Sequence, residues 1–168
     1  MKLVFVTEAR FIKDANGNFY GESSFNYGLW QRYLLAFSEV VVMARIKYDN
    51  NYSGDNAHLS SGSKVSFIEL PYYIGPLQYL KKYKKLKNKI AKSLKDIDAV
   101  FICRIPGAIG TLVINYLNKK NKPYGVEVVG DPWDVMAPGS IKHVLRFYFR
   151  CACYLKLKKN LKKAAAAV

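Results

Sequence analysis

The carboxylates of the stretch VEVVGDPWDV are the residues best placed for chemistry. Glu127 sits inside an apolar run, Asp131 follows the end of that run and precedes Pro132, and Asp134 is the last acid of the chain. An aspartate at the end of a strand can hydrogen-bond hydroxyl groups or accept a proton. Trp133 beside it offers a flat apolar face to a sugar ring or a lipid. Asp131 is therefore the candidate catalytic group, with Glu127, Trp133 and Asp134 as candidate binding residues. The same residues also suit an Asx turn with Trp133 turned into a core.

Two further stretches could meet an anion. In CRIPGAIG (103–110), Arg104 would end a strand, Pro106 begin a turn, and Gly107 let backbone amides approach a ligand at the start of a helix. An arginine there can grip a phosphate with two parallel hydrogen bonds, or equally pair with a neighbouring acid. In NGNFYGESSFNYG (16–28), Gly21, Glu22 and Ser23 come before a helix. Free N–H groups and the helix dipole there favour an anion or a sugar oxygen; an ordinary capped loop is the plainer alternative. The chain has no G-x-G-x-x-G after its first apolar run, no G-x-x-x-x-G-K-[ST] and no H-E-x-x-H or Cys/His cluster. That argues against a dehydrogenase, a P-loop enzyme or a zinc hydrolase, and no metal or cofactor is expected. His58 and His143 are expected to face solvent.

These residues need a scaffold that gathers them. KLVFVT (2–7), VVVMAR (40–45), KVSFIEL (64–70), AVFICRI (99–105) and YGVEVV (124–129) are nearly continuous apolar runs of strand length, as expected of strands covered on both faces. Residues 8–23 and 48–64 are polar and read as loops. Phe25, Leu29, Tyr33 and Phe37 recur at helical spacing, predicting a helix over about 24–37 capped by Ser23 or Ser24. Leu77, Leu80, Tyr83, Leu86, Ile90, Leu94 and Ile97 form an apolar stripe on a lysine-rich helix. Helices are expected over 107–118 and about 140–163. Alternating strands and helices predict an α/β, Rossmann-like, doubly wound parallel sheet with helices on both faces, which binds ligands outside the carboxyl ends of its strands. Residues 1–168 are one domain by length.

AVFICRIPGAIGTLVINYL (99–117) has the length of a membrane span, but Arg104, Pro106, Gly107 and Gly110 favour a strand, a turn and a buried helix. The opening run meets Glu8 too soon for a signal peptide. Three cysteines, with Cys151 and Cys153 on different faces of a helix, fit a reducing cytoplasm. The ending LKKAAAAV reads as a helix running into a sixth strand, so a further domain is expected beyond Val168.

In order and in motif, KLVFVTEAR, FYGESS leading into LWQRYLLAFSEVVVMAR, CRIPGAIG and VEVVGDPWDV resemble the N-terminal domain of a GT-B-fold glycosyltransferase of the retaining family-four type. Such enzymes assemble bacterial capsule, O-antigen and exopolysaccharide. The resemblance implies an acceptor-binding N-terminal domain facing a C-terminal domain that holds the nucleotide-sugar through an E-x7-E glutamate pair. No two glutamates here have that spacing, so the donor half would be absent and this stretch alone inactive. It implies sugar transfer to a saccharide acceptor, lipid-linked or free, with retained configuration and no metal. Gly21 would lie near the donor phosphates, Glu22 and Ser23 beside the acceptor, and Asp131 near the reacting centre, where family members often carry a histidine.

With 27 Lys plus Arg against 12 Asp plus Glu, the net charge is +15, so the surface favours an anionic partner. Lysines interleaved with Tyr79 and Tyr83 on one helix, and with Phe147, Tyr148, Phe149 and Tyr154 on the last, suit apposition to an anionic membrane from its cytoplasmic side. A solvated lysine face explains them as well. Nucleic acid is the weaker partner, because no recognition helix, RNP-like strand pattern or zinc finger is present. The alternative to an enzyme is a non-catalytic, basic Rossmann-like domain that binds an anionic membrane, a phosphorylated ligand or nucleic acid.

Overall fold

The apolar runs fold as strands because β-branched side chains pack on both faces of a pleated sheet. The computed structural model describes residues 1–131, 133 and 146–168. In chain order its elements are β1 (Lys2–Lys13), β2 (Phe19–Tyr20), a 3-10 turn (Ser23–Phe25), α1 (Tyr27–Leu34), β3 (Glu39–Tyr48), β4 (Val65–Pro71), α2 (Gly75–Leu94), β5 (Val100–Ile105), α3 (Ala108–Lys119), β6 (Gly125–Val128), α4 (Arg146–Leu161) and β7 (Ala166–Ala167). The sheet order is β4-β3-β1-β5-β6-β7, every one of these pairings is parallel, and β2 adds to β1 antiparallel. Counting only the parallel strands along the chain, this is the Rossmann order, with its switch point between β1 and β5. The predicted fold class is the one observed. The sixth strand expected after the last helix is β7, which pairs with β6.

Each face of the sheet carries its own core. On one, Leu3, Phe5, Val40 and Val42 pack under α1 and Trp30; on the other, Val4, Val6, Val41 and Met43 meet α2, α3 and Leu157 of α4. Segment 99–117 resolves into β5, a turn and α3, and no helix among the described residues is long and apolar enough to cross a membrane. Gly110 allows α3 to close on the sheet, since a Cβ there would stand 2.5 Å from the backbone oxygen of Arg104. Burial pushes the Cys103 thiol up to about 12, which makes it an inert core residue; Cys151 and Cys153 are free and half-buried.

Three local features depart from the sequence expectations. First, β1 does not stop at residue 7. It runs on to Lys13, and the hairpin to β2 is closed by Asp14, whose Oδ1 accepts the Asn18 N–H at 2.8 Å. Phe11 holds this arm down, fully buried and edge-on to Phe25 (5.9 Å) and Phe67 (5.3 Å). Val6 pairs with Met43 and Arg10 with Arg45, so Thr7, Glu8 and Ala9 bulge opposite the single residue Ala44. Thr7 Oγ1 steadies the bulge by accepting the Ala9 N–H at 3.1 Å.

Second, α1 begins at Tyr27, after Asn26 rather than Ser23 or Ser24, and no side chain caps it. Its fully buried residue is Trp30, which lies off the predicted stripe and donates Nε1–H to Ser60 Oγ at 2.7 Å. Third, only the C-terminal half of the α2 stripe is core. Leu86, Ile90 and Leu94 are buried, whereas Leu77 is 75% and Leu80 66% exposed; in the first turns of α2 it is Tyr79, off the predicted stripe, that packs against the core.

Candidate functional site

The bulge in β1 falls at the switch point, where Rossmann folds open a crevice, and it aims Glu8 at the start of α3. Glu8 Oε2 accepts the backbone N–H of Ile109 at 2.9 Å. Tyr73, just after β4, donates its hydroxyl to Glu8 Oε1. Arg45 of β3 donates to the main-chain oxygens of Glu8 and of Tyr73 (3.0 Å), and its guanidinium lies 4.5 Å from the centre of the Tyr73 ring. Tyr73 is 3% exposed. Its burial, then its bond to Glu8, lifts the phenol far above its ordinary range, so it stays a donor. Burial first, then the neighbouring Tyr83 and Glu8, raises Tyr79 as well.

The helix N-terminus at which an anion was expected is thus filled by the chain's own carboxylate. Glu8 remains 34% exposed, so it can also accept a hydrogen bond from a hydroxyl group in the crevice. Glu8, Arg45 and Tyr73 were not singled out from the sequence. The one available signal was that Glu8 is the first charge after the apolar run that opens β1.

The other predicted residues divide between the two faces of the same rim. Arg104 of β5 and Glu127 of β6 are register partners on the α1 face, with Nε 3.2 Å from Oε1. The Arg104 guanidinium lies 4.9 Å from the centre of the Phe25 ring. Tyr33 Oη donates to Glu127 Oε2 at 3.5 Å, and burial, then the Glu127 charge, raises the Tyr33 phenol. Arg104 therefore takes the ion-pair alternative. Gly21 returns beside Phe11 and Phe25, where a Cβ would come within 2.7 Å of the Phe11 ring, and its N–H is bound to the oxygen of His58 (2.9 Å). Glu22 is exposed and lies 3.9 Å from Arg10. Ser23 opens the 3-10 turn. Gly21 and Arg104 thus meet at Phe25, with Glu127 behind Arg104 and Glu22 turned toward Arg10.

On the opposite face, Gly107 precedes α3 in extended backbone that any residue adopts, 3.5 Å from the Glu8 carboxylate by its Cβ position. Asp131 Oδ1 accepts the Trp133 N–H at 2.8 Å, which is the Asx turn. Trp133 is 39% exposed and packs on α4, its ring 3.9 Å from the Arg150 guanidinium carbon and 5.7 Å from Tyr154. Asp134 and His143 lie outside the described residues. Among the described residues no group of three or more His, Cys, Asp or Glu side chains could hold a metal. Beside Gly107, Pro106, Tyr79 and Thr111 a cavity of about 610 Å³ opens toward α4.

Comparison with known proteins sets this geometry beside a sequence relative. No protein-family profile matches the chain. It is 34% identical to Protein CapJ of Staphylococcus aureus over 134 residues, which is 80% of this chain and 33% of CapJ. The chain thus spans about a third of the length of the curated relative it matches. Among solved structures, a candidate phosphofructokinase from Staphylococcus aureus aligns over 99% of this chain and 69% of its own, with 9% identity and a TM-score of 0.33. That likeness is too slight to carry an argument, and the strand order establishes the fold without it.

Proposed function

We propose that this chain is the N-terminal, acceptor-binding part of a retaining GT-B-fold glycosyltransferase, which moves a sugar from a nucleotide-sugar to a lipid-linked saccharide in bacterial surface-polysaccharide assembly. The observation that carries the reading is the 34% identity to CapJ across 80% of the chain, whose Cap designation we read as capsule. The Rossmann order supports it, because two such sheets facing each other make a GT-B cleft. In this reading the nucleotide-sugar is held mainly by a second domain, and no cofactor takes part.

The chemistry asked of these residues is positioning and electrostatic stabilisation. Asp131 stands near the reacting centre, Gly21 near the donor phosphates, and Glu22 and Ser23 beside the acceptor. Glu8 adds a fixed carboxylate that can hold an acceptor hydroxyl. Exposed Leu77 and Leu80 beside Lys81, Lys82, Lys84 and Lys85 support peripheral contact with the inner face of the membrane; each lysine near an anionic leaflet contributes about 1 kcal/mol.

The test is to incubate the full-length protein with labelled nucleotide-sugars and a bacterial lipid extract. Label should enter the organic phase only when extract is present, and the product should keep the donor's anomeric configuration. Failure to transfer or hydrolyse any donor would overturn the proposal. The lysine cluster on α2 favours a second reading, a non-catalytic basic module for an anionic surface. That module would float with anionic liposomes in a salt-dependent manner and never transfer sugar; an oligonucleotide shift instead would point to nucleic acid.

A further inference from the structure

On the face that carries α2, α3 and α4, α3 lies recessed between the other two. The cavity beside Gly107 shares Tyr83, Leu112, Asn115 and Asn160 with a second cavity of about 450 Å³ further along the helix, which ends at Lys119. The two form one groove along the outward side of α3. Twelve residues of helix make it about 18 Å long.

The groove is polarised. Its half near the strand carboxyl ends is walled by Tyr79, Leu112, Val129 and Leu157, and Lys156 is the one lysine lining it among the described residues. Its far half gathers Lys87 from α2, Lys119 from α3, and Lys159 and Lys163 from the end of α4 and just beyond. Among the described residues no acidic side chain lines either half. None of those four lysines has an acidic partner among the described residues. Four cations converging on one cavity repel each other until an anion joins them, while the neighbouring apolar wall gains by covering hydrocarbon. Charge and apolarity are thus separated along one groove, as in an amphiphile with a single charged end.

We infer that the groove over α3 binds a membrane lipid with an anionic phosphate headgroup, the phosphate among Lys87, Lys119, Lys159 and Lys163 and the hydrocarbon against Leu112, Tyr83 and Leu157. The headgroup end lies away from the switch-point crevice, so the bound lipid is not the sugar acceptor. It is a second ligand, and its binding does not depend on the glycosyltransferase reading.

Titration calorimetry of the full-length protein with decyl phosphate below its micelle concentration tests this. Inorganic phosphate serves as the head alone, and decyl maltoside as the tail with a neutral head. Saturable one-to-one binding of decyl phosphate is expected, at least about tenfold tighter than either control. Lys119→Glu with Lys159→Glu should weaken it by about tenfold or more, as removal of two cations predicts. Lys64→Glu with Lys95→Glu, exposed and outside the groove, should leave it unchanged, and Leu112→Trp should block it. All four lysines are exposed, so the charge variants should fold and report on binding even if Leu112→Trp does not fold. Absent binding, equal affinity for inorganic phosphate, or equal loss in the two lysine pairs would overturn the inference. Sugar transfer without lipid binding, or the reverse, separates it from the proposed reaction.

Discussion

Replacing Glu8 with alanine tests the wiring of the switch point. The change removes the acceptor of the Ile109 N–H at 2.9 Å and of the Tyr73 hydroxyl. Losing a side-chain acceptor at a helix start costs about 1 kcal/mol. Leaving a donor unsatisfied costs about 1–3 kcal/mol, and Tyr73 is only 3% exposed, so water does not easily replace Glu8. Arg45 keeps its bonds to the main-chain oxygens of residues 8 and 73, so its share of the loss is small. The sum is about 3 kcal/mol, a tolerable part of the 5–15 kcal/mol of a typical domain (roughly). At about 2–4 °C per kcal/mol for a chain of this size, Tm should fall by about 6–12 °C.

Thermal and urea unfolding followed by circular dichroism would measure this. Glu8→Gln, which keeps one good acceptor and turns an amide N–H₂ toward the other donor, should lose about half as much. Tyr73→Phe removes the stranded donor, so a double-mutant cycle should return a coupling of about 1 kcal/mol or more. A Tm drop below about 2 °C, or strict additivity in the cycle, would refute the idea that Glu8 joins β1, β4 and α3.

Gly110→Ala should cost about 2–3 kcal/mol by urea denaturation, because the new methyl meets the rigid backbone oxygen of Arg104 at 2.5 Å. Of the two tryptophans, Trp30 is fully buried and Trp133 is 39% exposed; iodide should quench only part of the native emission, and Trp133→Phe should abolish the quenchable part. Glu69 is held below the ordinary carboxylate range: burial works against its charge, but hydrogen bonds from Lys13 (2.8 Å) and Tyr48 outweigh it. A depressed carboxyl stabilises the fold above its unfolded value, about pH 4, and that contribution is lost as pH falls through the folded-state value. Glu69→Gln should therefore lower stability by about 1 kcal/mol at pH 7, with the gap closing in acid; a gap unchanged at low pH would contradict the assignment.

The sheet was legible because Val40–Met43 and Phe101–Ile105 are mostly apolar runs of strand length, and their alternation with helical segments along the chain already implied parallel pairing. The arm from Glu8 to Tyr20 was not, since Asn16, Gly17 and Asn18 announce a turn while the hold on it comes from Phe67, far along the chain. Helical spacing found the face of α1 but not Trp30, whose burial depends on Ser60. It also overstated the core on α2, where Tyr79 rather than Leu77 or Leu80 turns inward in the first turns. Arg104 and Glu127 were both visible as candidates; their pairing follows from the register of β5 and β6, which a single sequence does not spell out. The Glu8 cluster draws on residues 45, 73 and 109, and no local window contains it.

The three residues that stand opposite Ala44 amount to a surplus of two in β1. An even surplus preserves the in-and-out alternation of the strand, which is why Leu3, Phe5 and Phe11 all sink into the same core. An odd change of length at positions 7–9 would turn Phe11 over to the other side of the sheet and pull the hairpin with it. Losing two residues would straighten the strand, keep the hairpin seated and erase only the outward belly that carries Glu8. Length variation in descendants of this sequence is thus constrained by parity at this point, and an even deletion separates the loss of the carboxylate's perch from the loss of the fold.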